Sequence, residues 1–193
     1  SNVEDMNNIF FGCSMLASLD LSSFNTANVE YMYSMFYNCS SLQSITFGNS
    51  FNTANVTNMT FMFCSCSSLT SLDLRNFNTA KVTDMYCMFN ECSALTLLDL
   101  SNFNTSKVTT MAYMFCYCSN IAELKLINFD FRNVDVDDGF NGMFTNLANN
   151  NTDPVPVYVY VTQDSYNILE DKNTGINSNY AWFVDENGNT FGN

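Results

Sequence analysis

The residues of this chain with the widest chemical reach are its eight cysteines and eleven methionines, set among 19 acidic side chains and no histidine. Without imidazole there is no ordinary Ser-His-Asp or Cys-His couple and no histidine metal ligand. Three chemistries remain: thiols that pair or hold a metal, thioethers that bind soft metals, and carboxylate pairs that hydrolyse glycosides. Spacing argues against each. Cys13, Cys39, Cys66, Cys92 and Cys118 recur at a nearly constant interval, which in a stack of turns places them one strand spacing, about 4.8 Å, apart. Side chains in such a ladder point the same way, so their Cβ atoms stay farther apart than the ~3.8 Å a disulfide wants. The column therefore reads as free thiols buried as small hydrophobes. Cys64-Ser65-Cys66 and Cys116-Tyr117-Cys118 look like metal pairs, but they lie two turns, roughly 10 Å, apart, whereas zinc ligands converge to about 2.3 Å. Cys64, Cys87 and Cys116 fall outside the ladder and are expected to be partly exposed, where a surface thiol could crosslink.

Ten of the eleven methionines occupy fixed columns with helical spacing, which points to core filling rather than copper. Asp73 and Asp99 share a column in adjacent turns, near enough for a carboxylate pair or a bridging calcium ion. An open repeat face nevertheless lacks the enclosing pocket that shifts pKa values. Asp185-x-Asn187-Gly188-Asn189 reads as a hairpin turn rather than a calcium loop. No catalytic residue, metal or cofactor is expected.

These residues are positioned by a repeat. Val recurs at 3, 29, 56, 82, 108 and 134, in steps of 26, 27, 26, 26 and 26 residues. Met follows at 6, 32, 59, 85 and 111, a Met-Phe pair at 35–36, 62–63, 88–89 and 114–115, then the cysteine column. Aliphatic columns come next: Leu16, Leu42, Leu69, Leu95, Ile121; Leu19, Ile45, Leu72, Leu98, Leu124; and Leu21, Phe47, Leu74, Leu100, Leu126. Phe-Asn-Thr closes the units at 24–26, 51–53, 77–79 and 103–105. Self-similarity at this period is the mark of a solenoid, in which no unit buries its apolar residues alone. Val-x-x-Met-x-x-Met-Phe predicts one short helix per turn and Leu-x-Leu one short strand. Thr57, Thr83 and Thr109, just after the Val, are placed to cap those helices.

The columns L16-x-x-L19-x-L21 and NVTNMTFMFCSCSSLTSLDLRNFNTAKV resemble the leucine-rich repeat signature, and more particularly the 26-residue repeat of BspA-like bacterial surface proteins. The resemblance covers residues 1 to about 147. It implies an extracellular or cell-surface bacterial protein used for attachment, binding a protein or glycan of a host or neighbouring cell.

The expected architecture is an α/β solenoid, a leucine-rich repeat with one strand and one helix per ~26-residue turn. It runs over 1–147 with strands near 16–24, 42–47, 69–74, 95–100 and 121–126. Residues 148–193 then form a linker, Asn149 to Pro154, followed by a last strand over 155–161 and a C-terminal α/β cap. The cap comprises a helix over 163–172 behind Thr162, Gly175 past its end, and a strand at 181–184. Such a cap is needed because an open solenoid end exposes apolar rows and strand edges. Ser1-Asn2-Val3 aligns with Ala27-Asn28-Val29, so the chain opens within a repeat, as a fragment or processed product would.

Composition narrows the partners. A chain that is 47% hydrophobic and 15% aromatic folds, and a net charge of −13 disfavours nucleic acid and anionic membranes. No apolar run approaches the roughly 18 residues of a membrane span. Two surfaces are candidates. On the strand side, Asp20, Thr46, Asp73, Arg75, Asp99 and Lys125 flank the Leu-x-Leu pairs and suit a basic or hydroxyl-rich partner. On the other side Tyr31, Tyr33, Tyr37, Phe61, Tyr86, Tyr113 and Tyr117 lie between the buried Met and Phe columns, a row of aromatics of the kind enriched at interfaces. The expected role is a binding or adhesion module; the alternative is structural self-assembly through the aromatic faces or the solenoid ends.

Overall fold

The computed structural model describes residues 3–148, 157–170, 172, 174 and 181–191. The period is realised as a solenoid of six stacked turns, but without a helix in each. Between the Met and Cys columns the backbone N–H groups serve two neighbours alternately. In the second turn Met32, Ser34, Phe36 and Asn38 donate to carbonyls of Asn58, Thr60, Met62 and Cys64 in the next turn, at 2.8–3.3 Å. Met35, Tyr37 and Cys39 donate instead to the residue three back. An α-helix needs an unbroken ladder to the residue four back and negative φ throughout. Here every fourth residue is left-handed: Ser34 and Asn38, Phe61 and Ser65, Cys87 and Glu91, Tyr113 and Tyr117 all have φ between 52° and 60°. The segment is therefore a staircase of tight turns whose Met, Met-Phe and Cys side chains all point inward. Thr57, Thr83 and Thr109 cap nothing. Their hydroxyls donate to the carbonyls of Glu30, Thr57 and Thr83 in the preceding turn at 3.2–3.3 Å.

The strand side is nearer to expectation. β1 (Ser18–Leu21) pairs in parallel with β2 (Ser44–Phe47), with Leu19 opposite Ile45 and Leu21 opposite Phe47. β3 (Leu97–Asp99), β4 (Glu123–Lys125), β5 (Val157–Tyr160) and β6 (Ala181–Val184) form a second parallel sheet in that order. The expected strand at 69–74 does not form. The break follows the one 27-residue step, whose extra residue falls just after β2. There Gly48 lies so close to the preceding turn that a Cβ would meet the Ser22 carbonyl oxygen at 2.3 Å.

Between the two sides the core is ordered in columns. Phe10, Phe36, Phe63, Phe89, Phe115 and Phe144 stack with centroids 5.3–5.9 Å apart and planes within 11°. Each such pair contributes about 0.5–1.5 kcal/mol beyond its buried area. At the corner, Thr26, Thr53, Thr79 and Thr105 are fully buried. Each hydroxyl donates to the carbonyl of the Asn or Asp one turn on and accepts the N–H of that same residue, as Thr79 does with Asn104 at 3.0 and 2.8 Å. That is the structural role of Phe-Asn-Thr.

The C-terminal end is covered. α1 (Gln163–Leu169) starts behind Thr162, whose side chain accepts the Ser165 N–H, and buries Ser165 and Leu169. The Ser165 hydroxyl donates to the Phe129 carbonyl, tying α1 to the fifth turn. Phe183 closes the Phe column edge-on against Phe144 at 5.9 Å. Thr190 bridges Val184 and Phe191 donates to the Phe183 carbonyl, so the return of the Asp185–Asn189 turn covers part of the β6 edge. The linker at 149–154, the first residues of the strand over 155–161, Gly175 and the Ser1-Asn2 alignment lie outside the described residues.

Candidate functional site

The left-handed residues govern the outer face of the staircase. The outward positions are the left-handed residues and those just before them, and in this chain many are aromatic: Phe61, Tyr113 and Tyr117 are left-handed, while Tyr33, Tyr37 and Tyr86 each precede a left-handed residue. Tyr33, Phe61, Tyr86 and Tyr113 meet edge to face in series, with centroids 5.9, 5.2 and 6.0 Å apart. Tyr37 joins Phe61 at 5.8 Å and stacks on Phe11 at 5.0 Å. At the far end the Tyr113 ring lies on Gly142, where a Cβ would meet it at 2.6 Å. The stripe therefore spans five turns. Tyr31, Tyr33, Tyr113 and Tyr117 are 38–50% exposed, whereas Phe61 and Tyr86 are half-buried. Thr60 shares a column with Tyr33 and Tyr86. It is 7% exposed, and its hydroxyl alone among the described buried side-chain N and O atoms lacks a hydrogen-bond partner.

Directly beneath the stripe lie Cys64, Cys87 and Cys116, which are 3–6% exposed. The expectation of partly exposed thiols fails for all three. Cys87 is one of the left-handed residues, and Cys64 and Cys116 sit under the rings of neighbouring turns, with Asn90 between them at 3.8 Å from the Cys64 sulfur. Burial pushes the Cys64 thiol up to about 11 and the Cys87 thiol up to about 12, and raises Cys116 as well. All three are neutral and poorly nucleophilic at neutral pH.

In the thiol ladder, Cys39, Cys66, Cys92 and Cys118 are fully buried, and each S–H points at the carbonyl of Phe10, Phe36, Phe63 or Phe89 in the preceding turn, at 3.1–3.2 Å. Cys13 departs from its column. It is exposed, because no turn lies over it in this structure. All eight cysteines are free thiols. Among the described residues no group of three or more Cys, Asp or Glu side chains is arranged to hold a metal ion.

The strand-side candidates are already engaged. Asp73 accepts two bonds from the Arg75 guanidinium, at 2.9 and 2.6 Å, and one from the Arg75 N–H. The side-chain bonds from Arg75 hold its carboxyl down at about 2. Asp20 and Asp99 likewise accept the N–H two residues on. Burial pushes the Asp99 carboxyl up, and the bonds from Ser101 with the charge of Lys125 more than offset it. In register Asp99 faces Lys125 and Asp20 faces Thr46. The row is a solvated, turn-forming set, and Asp73 and Asp99 are not brought together as strand partners. Sequence reasoning missed the continuation of this face onto β5 and β6. There Tyr158 and Tyr160 lie opposite Glu123 and Lys125, and Trp182 lies beyond Tyr158. The alternation of Val and Tyr at 157–160 was the available signal.

Two hollows, of about 300 and 320 Å³, lie between the fifth-turn corner and α1, sharing Phe131, Arg132 and Ile168. The Asp130 carboxylate occupies Arg132 with two bonds, and Lys172 lines the second hollow. No helix among the described residues is long and apolar enough to cross a membrane.

Residues 1–49 and 45–157 match the family described as Mycoplasma protein of unknown function, DUF285. The chain belongs to that family. Nothing matches among curated proteins or among solved structures. In this DUF285 chain the matched span contains the whole aromatic stripe and the thiol ladder.

Proposed function

We infer that the chain is a non-enzymatic binding module, acting at the cell surface or outside the cell, that grips a protein or glycan partner through the aromatic stripe. The observation that carries this reading is the stripe itself: Tyr33, Phe61, Tyr86 and Tyr113 in edge-to-face series across successive turns, its two end rings and the neighbouring Tyr31 and Tyr117 at least 38% exposed. Rigid aromatics contribute contact area at small entropic cost and dominate binding hot spots. The likeness of the Met-Phe and Cys-Ser-Ser-Leu columns to BspA-like repeats supports attachment as the biological setting. The surplus of carboxylates keeps such a module soluble and away from anionic surfaces.

The test is retention of matrix proteins and glycans on the immobilised chain, alongside light scattering of the free chain. A monomer that retains a partner, and loses it at least tenfold on Tyr86→Ser with Tyr113→Ser but not on Asp73→Asn with Asp99→Asn, is the expected result. Loss through the Asp variant alone would overturn the assignment to the stripe. A discrete oligomer that retains no partner would favour the second reading, self-assembly through the aromatic faces or the solenoid ends.

A further inference from the structure

On the other side of the core, the outward face of the second sheet ends in aromatic residues that the stripe does not use. The register places Leu97, Glu123, Tyr158 and Trp182 in one row across β3 to β6, and Lys125 beside Tyr160 in the next. Leu97 and Trp182 are 46% and 43% exposed. The Tyr158 and Trp182 rings lie 5.8 Å apart at 70°, forming a corner with one floor and one wall. The Lys125 ammonium stands 5.8 Å over the Tyr160 ring.

We propose that this corner is a glycan subsite that seats a neutral pyranose ring of an oligosaccharide against Trp182 and Tyr158. Three features select that occupant. The face is small: three strand spacings of about 4.8 Å by two residues of about 3.3 Å is on the order of 100 Å², far below the roughly 800 Å² per partner that a stable protein interface buries. The polar groups are mixed. The Glu123 carboxylate accepts, the Lys125 ammonium donates, and the Tyr158 and Tyr160 hydroxyls do either, as a ring of sugar hydroxyls requires. Lys125 faces Asp99 on β3 and lies two residues from Glu123, so the three together leave a single net negative charge, a small surplus for selecting an ion in a chain of net charge −13. The apolar C–H face of a pyranose then packs on the indole, its edge meets the Tyr158 ring, and its hydroxyls reach the flanking charges.

Trp182 is the single tryptophan of the chain, so its emission reports this corner and not the aromatic stripe. The experiment titrates the full chain with cellohexaose, chitohexaose and maltohexaose, follows Trp182 fluorescence, and repeats the active titration by calorimetry. A saturable emission change with at least one sugar is expected. The calorimetric signal should be weakened at least tenfold by Tyr158→Ala, lost in Trp182→Ala and retained in Trp182→Phe, all with unchanged melting temperatures. Absence of saturation with every sugar up to roughly 10 mM would overturn the proposal. So would a saturable response to tetramethylammonium chloride alone, which would make the corner a cation site. Unchanged calorimetric binding in Trp182→Ala would place the sugar elsewhere, the stripe included, and so sink this subsite without touching the stripe assignment.

Discussion

Thr60 and Thr79 carry the same side chain in opposite circumstances. The Thr79 hydroxyl bridges both backbone groups of Asn104, whereas that of Thr60 is buried with no partner. Valine has nearly the same shape. Thr79→Val therefore strands a buried donor and a buried acceptor and should cost about 1–3 kcal/mol, while Thr60→Val removes an unsatisfied hydroxyl and should be neutral or stabilise by about 1 kcal/mol. Urea denaturation of the two variants checks this, and equal effects would refute the reading of the Phe-Asn-Thr corner. The thiols supply a second prediction. An aromatic disulfide reagent at neutral pH should find one fast-reacting cysteine of the eight, Cys13, since the rest are buried. Two or more fast thiols would mean that the staircase opens. The buried thiols also set an alkaline limit. Cys64 and Cys87 hold their protons to about 11 and about 12 when folded, against about 8.5 unfolded. The unfolded state therefore releases protons first as pH rises. Stability is full below about pH 8.5 and falls progressively from there towards pH 11–12. Melting temperature measured across pH 7–11 should show that decline, and a double Cys64→Ala, Cys87→Ala variant should make it shallower without abolishing it, because burial raises Cys39, Cys66, Cys92, Cys116 and Cys118 as well.

At the scale of the element, the staircase explains both what was legible and what was not. Met32, Met35, Phe36 and Cys39 are spaced three, one and three apart, which is helical spacing, and they do share one buried face. Two successive tight turns produce that spacing as well as a helix does. The discriminating signal was the residue type at the left-handed columns. Asn8 and Gly12, and again Asn38, Gly142 and Asn146, are types that tolerate φ near +60°. Phe61, Cys87, Glu91 and Tyr113 in the same columns hid it, because each exchanges backbone comfort for a ring, a buried thiol or a surface contact. Tyr117 is half exposed with φ 59° and makes no ring contact among the described residues. Tyr117→Asn should thus raise stability by about 0.5–1 kcal/mol, a left-handed non-glycine residue costing about 1–2 kcal/mol. A thermal melt decides it, and a loss would mean that the Tyr117 ring holds the face together. The aromatic stripe itself was legible, since its residues fall between columns that had to be buried. The Tyr158–Trp182 corner was not, because its two residues meet through parallel pairing of β5 and β6 and share no repeat column.

For the whole molecule, the consequence of stacking is that each turn is stabilised by its neighbours alone. The two ends differ here. At the C-terminal end β5 and β6 extend the sheet from β4, α1 packs on the fifth turn and Phe183 lies over Phe144 of the sixth, while the first turn exposes Ile9, Phe11 and Met15 at 47%, 53% and 90%. Opening should therefore begin at the first turn and travel inward, and amide exchange should slow from the Asn8–Gly12 segment to the Cys87–Glu91 segment. Phe89 sits mid-column, fully buried between Phe63 and Phe115. Phe89→Ala should cost about 3–5 kcal/mol, and it should do so unevenly. With the central contact weakened, turns one to three lose their path to the covered end and should exchange faster by a larger factor than turns five and six. Phe10→Ala, at the partly buried end of the same column, should cost far less and affect the first turn only. Hydrogen exchange resolved by segment distinguishes this from a single cooperative unit. If Phe89→Ala accelerated exchange equally in every turn, the column would not be a chain of neighbour contacts, and the stability of the solenoid would have to be assigned to the molecule as a whole.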